Sequence, residues 1–183
     1  MRCLLVRHGK DDDTLRGGWS AAPLTPQGVQ QVQALAAELV RQGVQLRAVY
    51  ASDLPRAMQS AQLLASALQL TVTPLPAFRE VNNGLLAGMK NELAESRYPR
   101  LYWNTLAWDE AYPEGESPQA FYARISAAWQ DFKAQLSGQQ GDVMLVTHAG
   151  VINVIRCMEA GVQYTNKRVQ FPIGYAEAVW LQL

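Results

Sequence analysis

The chain has 183 residues, 16 basic and 16 acidic side chains, and 49% apolar residues. That length suits one domain with a sizeable core, and that apolar content excludes a disordered chain. Zero formal net charge excludes the broad basic field of a nucleic-acid binder and the polybasic stripe of a membrane-surface protein.

The two cysteines, Cys3 and Cys157, form no disulfide framework and lack the paired spacing of a zinc site. Both lie in apolar runs and read as buried thiols. The run Cys3 to Val6 is too short for a signal-peptide core, and no stretch reaches transmembrane length. These features predict a cytoplasmic protein with neither nucleic acid nor membrane as partner. No repeat or low-complexity tract interrupts the chain.

Cys3-Leu4-Leu5-Val6 reads as a buried strand running into Arg7-His8-Gly9. Residues Asp11 to Pro23 read as loop, broken by Gly17-Gly18. Thr25-Pro26 is an N-cap followed by a first-turn proline. Val29, Val32, Leu35, Ala36, Leu39 and Val40 then recur at helical spacing until Gly43. Leu46 to Ala51 reads as a second strand. Pro55 opens a second helix, with Met58, Ala61, Ala65 and Leu68 on its apolar face, and Thr71 to Leu75 is a short third strand.

From Phe78 to Pro113 the pattern is irregular and rich in aromatics. Ser117-Pro118 caps a long helix with the stripe Phe121, Ile125, Trp129, Phe132 and Leu136. Val143 to Val146 is a second wholly apolar strand, ending in Thr147-His148-Ala149-Gly150, and Val151 to Met158 is helical. Ala176 to Leu183 reads as a last, edge strand. Strands alternating with helices predict an α/β three-layer sandwich. Its central sheet is mostly parallel, with helices on both faces and one antiparallel edge strand. The expected organisation is a single domain over 1–183 with a cap-like excursion at about 78–116.

His8 and His148 are the only histidines. Each follows an apolar strand and precedes a glycine within two residues. Ligands of open α/β sheets bind beyond the carboxyl ends of the strands, so two such histidines are expected to share a site. Arg7 adjoins the first. Arg56 stands at the N-terminus of the second helix, where free N–H groups favour anions. Two arginines and two histidines at strand ends make an anion pocket, because guanidinium forks match phosphate oxygens.

At Leu5-Val6-Arg7-His8-Gly9 the sequence resembles the histidine phosphatase superfamily, also called the phosphoglycerate mutase-like family. Further segments agree in order: Pro23-Leu24-Thr25-Pro26-Gln27-Gly28, Tyr50 to Ala57 with Arg56, Phe78-Arg79-Glu80, Gly115-Glu116-Ser117, and Val146 to Val151 with His148. The resemblance implies that His8 attacks a phosphomonoester and becomes a phosphohistidine. Arg7, Arg56, His148 and the backbone at Ala149 would hold the phosphoryl oxygens. Glu80, protonated at the start, would supply the proton to the leaving group. It implies no cofactor and no metal.

The sequence also departs from the family pattern. Lys10 replaces a Glu or Gln, and Asp11, Asp12, Asp13 and Thr14 follow where a Thr or Ser and then a phosphate-contacting Asn are usual. Lys10 offers extra attraction for phosphate, and Thr14 is a candidate substitute for the Asn. The three aspartates would repel an anion. They are expected to face solvent, the alternative being selection of a partly cationic substrate. Leu86-Ala87-Gly88 lacks the family's second carboxylate. The aromatics from Tyr98 to Tyr112, Tyr102 and Trp103 among them, either wall a pocket for a ring-bearing leaving group or form the core of a small excursion.

The expected function is hydrolysis of a small-molecule phosphomonoester. The α-ribazole phosphatases resemble this length and the Gly115-Glu116-Ser117 segment. The alternatives are a phosphoglycerate mutase-like phosphotransferase and a non-catalytic phosphate-binding protein. The last segment leaves a homodimer open without implying one.

Overall fold

The computed structural model describes residues 1–183. In chain order the strands and helices are β1 (Arg2–Arg7), α1 (Pro26–Arg41), β2 (Ala48–Ala51), α2 (Pro55–Ala67), β3 (Val72–Pro74), α3 (Asn91–Arg97), α4 (Pro118–Leu136), β4 (Val143–Thr147), α5 (Ala149–Glu159) and β5 (Ala178–Gln182). The sheet order is β3-β2-β4-β1-β5. Every pairing is parallel except β1 with β5, which is antiparallel and closes one edge.

The strands are apolar on both sides because both faces are covered. Alternate residues of a strand point to opposite faces. Cys3 and Leu5 of β1 join Val143 and Leu145 of β4 in a core with Phe121, Ile125 and Trp129 of α4 and Val151 to Ile155 of α5. Leu4, Val6, Met144 and Val146 face the other way, against Val32, Ala36 and Leu39 of α1 and Ala61, Leu64 and Ala65 of α2. The two helix layers thus follow from strand alternation.

The predicted caps are present. Thr25 Oγ1 accepts from the Gly28 N–H at 3.1 Å, and Ser117 Oγ accepts from the Ala120 N–H at 3.1 Å. Cys3 and Cys157 are buried free thiols. Some expectations need correction. Val40 is 52% exposed and lies off the core stripe of α1, which runs through Gly28, Val32, Ala36 and Leu39. The inward face of α2 is rotated from the predicted one and includes Arg56, Ala57, Ser60 and Leu64, with Met58 and Leu68 only partly buried. Helix α3 was hidden in the irregular segment, where it is too short to show a period.

Between β3 and α4 the chain folds into short turns, Pro76–Phe78 and Gly84–Leu86, and α3. It carries a small core of its own from Leu86, Leu106 and Tyr112, packed by Tyr98, Leu101 and Trp103.

Candidate active site

The register of β1 on β4 builds the site. Arg7 pairs with Thr147, so the next residues, His8 and His148, emerge side by side at the carboxyl edge. The His8 N–H donates to the Thr147 carbonyl at 3.0 Å, and the two rings meet edge-on with centroids 5.0 Å apart. Strand β2 lies on the other side of β4, with Ala51 opposite Val146. Ser52 therefore reaches the second histidine, with its Oγ 2.8 Å from His148 Nε2.

Gly9 turns the chain off β1 against the N-terminus of α1. A β-carbon on Gly9 would collide with the Gly28 carbonyl, and one on Gly28 would collide with the Lys10 backbone. Both positions need glycine for this close crossing. The Gly9 N–H is held by Ser60 Oγ at 3.1 Å.

His8 is 4% exposed, and its Nδ1 lies 2.7 Å from the Gly9 carbonyl. A carbonyl only accepts, so Nδ1 carries the proton and Nε2 keeps its lone pair. Burial, and then the Arg56 guanidinium, lower the His8 pKa from 6.5 to about 3. The ring is neutral at neutral pH. His148 is wholly buried and is likewise held far below the ordinary histidine value by burial and by Arg56.

Arg56 is 2% exposed, not the surface ion pair that a lone helix-start arginine usually forms. Its Nη2 donates to the Gly18 carbonyl at 2.7 Å and its Nη1 to the Ser20 carbonyl at 3.2 Å. Its Nε points at His8 Nε2 at 3.3 Å. Arg7 donates from Nη1 to the Ile173 carbonyl at 2.8 Å, and its guanidinium lies 3.8 Å from the centre of the Tyr175 ring.

Glu80 reaches the site from the segment after β3. Its Oε2 accepts from the Gly150 N–H at 3.0 Å, in the first turn of α5, and its Oε1 from the Val81 N–H at 3.1 Å. The backbone behind it is pinned. The Trp19 Nε1–H donates to the Glu80 carbonyl at 2.6 Å. Arg124 Nη2 donates to the same carbonyl at 3.1 Å, while Arg124 also forks onto Glu116.

A cleft of about 340 Å³ opens over this edge, lined by Arg7, His8, Asp11, Arg56, Glu80 and Tyr175, with Arg16, Gly17, Gly18, Asp12, Asp13 and Asn91 around its mouth. Four buried side-chain polar atoms in the chain lack a partner, and two of them are Arg7 Nε and His148 Nδ1. A third, Arg16 Nε, also belongs to a cleft residue. Orphaned buried polar groups cost roughly 1–3 kcal/mol each. Two of these atoms belong to the cleft-lining arginines Arg7 and Arg16.

The expected residues do not all meet here. Arg7, His8, Arg56 and Glu80 line the cleft, while His148 sits behind His8 with no exposed surface. Lys10 is absent from the lining, and its Nζ pairs with Asp13 at 3.1 Å. Thr14 is also outside, its hydroxyl donating to Asp12 at 2.7 Å. Local ion pairing and an Asx-type turn thus consume the two polar side chains that were candidates for substrate contact. Tyr102 points away, donating to Glu95 at 2.6 Å beneath the Arg16 guanidinium.

Trp103 and Ala149 line a second pocket instead, of about 280 Å³, with Phe121, Tyr164, Asn153 and Asn166. Glu80 lines both. The aromatic excursion therefore divides its roles. Tyr112 and Leu106 are core, and Trp103 both packs on Phe121 and faces the second pocket.

The largest correction concerns the aspartates. Asp12 and Asp13 face solvent, but Asp11 is 8% exposed and its Oδ2 is 3.2 Å from Arg56 Nε. The sequence reading also missed Tyr175, Arg124 and Trp19. Trp19 and Tyr175 are single side chains in segments without periodicity, and Arg124 lies on α4 beside its apolar stripe, where nothing in the period marks it. No group of three or more His, Cys, Asp or Glu side chains is arranged to hold a metal ion, and no helix is long and apolar enough to cross a membrane.

The family model of the histidine phosphatase superfamily (branch 1) matches residues 3–183. The chain belongs to this superfamily. It is 32% identical over 163 residues to the adenosylcobalamin/α-ribazole phosphatase of Escherichia coli K12, covering 85% of this chain and 77% of that protein. It is 28% identical over 196 residues to a probable phosphoglycerate mutase of Enterobacter sp. (strain 638), covering 99% and 88%. Among solved structures, a putative α-ribazole-5'-P phosphatase from Escherichia coli K-12 superposes with a TM-score of 0.82 at 28% identity, covering 100% of this chain and 91% of that one. The histidine phosphatase architecture thus accounts for the whole sheet and both helix layers.

Proposed function

We propose that this protein hydrolyses a small-molecule phosphomonoester through a phosphohistidine on His8. The observation that carries this reading is the His8 ring, with its Nδ1 proton on the Gly9 carbonyl and its Nε2 lone pair beside Arg56. A neutral, oriented imidazole in an arginine-lined cleft is a nucleophile poised for phosphorus.

In the first step His8 Nε2 attacks phosphorus, the bond to the ester oxygen breaks, and protonated Glu80 gives its proton to that oxygen. In the second, Glu80 takes a proton from water, whose oxygen attacks phosphorus and breaks the P–N bond. Orthophosphate leaves and His8 is neutral again. Arg7 and Arg56 meet the charge on the equatorial oxygens, and the buried His148 backs the His8 ring. These groups supply the charge stabilisation without a cofactor or metal. Retention of activity after dialysis against EDTA is the check.

Hydrolysis is favoured over mutase action by the cleft's own charge. Arg7, Arg16 and Arg56 share it with Asp11, Asp12, Asp13 and Glu80, a poor setting for a substrate carrying a carboxylate beside its phosphate. The aromatic second pocket, which shares Glu80 with the cleft, supports a ring-bearing leaving group such as that of the α-ribazole phosphatases. The buried free cysteines fit a reducing, cytoplasmic setting.

The decisive experiment is incubation with a generic aryl phosphate. Turnover and an acid-labile phosphoenzyme are expected between about pH 5 and 8, where His8, with its pKa lowered to about 3, stays neutral. His8→Ala should lose both. Wild type lacking both would refute the enzyme reading, and full activity in His8→Ala would refute the mechanism.

A further inference from the structure

Asp11 is the buried cleft carboxylate that this chemistry leaves unused. Its neighbours Asp12 and Asp13 have partners of their own in Thr14 and Lys10. Asp11 instead turns inward. Its side chain is 11% exposed, its Oδ2 lies 3.2 Å from Arg56 Nε, and its backbone is bridged to Leu24. The same Arg56 Nε is 3.3 Å from His8 Nε2.

That nitrogen carries one hydrogen. Arg56 Nη1 and Nη2 already donate to the Ser20 and Gly18 carbonyls. Without substrate, the Nε–H donates to the nucleophile, and the Asp11 carboxylate lies within ion-pair distance of the same nitrogen. A phosphoryl group placed for in-line attack by His8 Nε2 brings its oxygens to this same spot. A phosphate dianion and a carboxylate repel at such separations, the more so beside the buried Arg56 and His8.

We propose that Asp11 is a gating residue: an internal anion on Arg56 that every incoming phosphoryl group must displace. Free phosphate then binds weakly. The esters admitted are those whose leaving group adds binding energy of its own, spent on moving Asp11 aside. This inference rests on the phosphatase reading and narrows its substrate class to phosphomonoesters with a sizeable, well-bound leaving group. The aromatic pocket beyond Glu80 is placed to supply that energy.

The test is calorimetric titration of inorganic phosphate into wild type, Asp11→Asn and Asp11→Ser, with the KM for an aryl phosphate alongside. Both variants remove the charge, one keeping shape and one giving space. The expected result is a fall in phosphate Kd of about tenfold or more, which corresponds to about 1.4 kcal/mol. The KM should fall in parallel, with kcat changing far less.

Unchanged or weaker phosphate binding in both variants overturns the proposal, since it would make Asp11 a support that positions Arg56. A crystal of the wild type soaked in phosphate needs no variant. Asp11 should have left Arg56, and phosphate bound with that pair intact overturns the gate. If wild type proves to have no turnover, the phosphatase reading fails, and the phosphate titration still decides the role of Asp11.

Discussion

The Gly150 N–H donates to Glu80 Oε2 at 3.0 Å, and a β-carbon on residue 150 would overlap the other oxygen of the same carboxylate. The Glu80 carboxylate and the first turn of α5 are therefore fitted to each other. Gly150→Ala should push Glu80 out of place while leaving His8 untouched. Turnover of alkyl phosphates is expected to fall on the order of tenfold or more. Aryl phosphates, whose leaving groups need little protonation, should lose much less. Equal losses for both classes would remove Glu80 from the protonation step.

Glu80→Gln makes the same point without steric disturbance. The amide keeps the size but cannot give up a proton, so the alkyl-to-aryl rate ratio should collapse while the phosphoenzyme still forms from an aryl ester. Comparing phosphoenzyme formation in the two variants separates a misplaced acid from a missing one.

Arg124 acts one layer behind. It forks onto Glu116 and reaches the carbonyls of Ala77, Arg79 and Glu80. Arg124→Met would remove the ion-pair partner of Glu116 and a donor to three carbonyls, of which that of Glu80 keeps the Trp19 Nε1–H. A loss of about 2 kcal/mol in denaturant unfolding is expected, with kcat for alkyl esters falling more than KM rises. An unchanged kcat would make Arg124 a structural brace only.

Both histidines are buried in the neutral form, so stability should depend on acid. Their pKa values are depressed in the folded protein, His8 from 6.5 to about 3 and His148 well below 6.5. Below pH 6.5 the unfolded chain gains protons that the folded chain refuses. Stability is therefore full above that pH and is lost as pH falls toward 3, at up to about 1.4 kcal/mol per pH unit per histidine. Urea melts at several pH values should show this slope, and His8→Asn should reduce it. A slope unchanged by that substitution would mean that the buried ring is not the source.

Trp103 and Tyr102 should behave oppositely although they are adjacent. Trp103 packs on Phe121 and Tyr112 and lines the second pocket. Trp103→Ala should cost about 2 kcal/mol and change the ranking of ring-bearing against small alkyl substrates. Tyr102 is 39% exposed and bonded to Glu95, so Tyr102→Phe should leave that ranking as it was. A panel of phosphomonoesters checks both.

Much of this molecule was legible in its sequence because the relevant signals are local. Thr25 and Ser117 cap their helices through side-chain geometry contained within a single turn. The apolar runs Cys3–Val6 and Val143–Val146 announce strands covered on both faces. His8, His148, Arg56 and Glu80 stand out because their segments match a family pattern residue by residue. What the sequence could not hold is the relation between segments. The register that sets Arg7 beside Thr147 makes two strand ends into one site. The same packing seals His148 away from solvent and brings in Trp19 and Tyr175 from unpatterned loops and Arg124 from α4.

The zero net charge of the chain hides an uneven distribution. The sequence determined how many charges there are and which strand ends carry histidine and arginine. Only the tertiary structure decided that Lys10 turns to Asp13 and that Asp11 turns inward to Arg56. The physical reason is that a buried guanidinium needs a counter-anion more than an exposed one does, and which carboxylate supplies it depends on distances that exist only after the chain has folded.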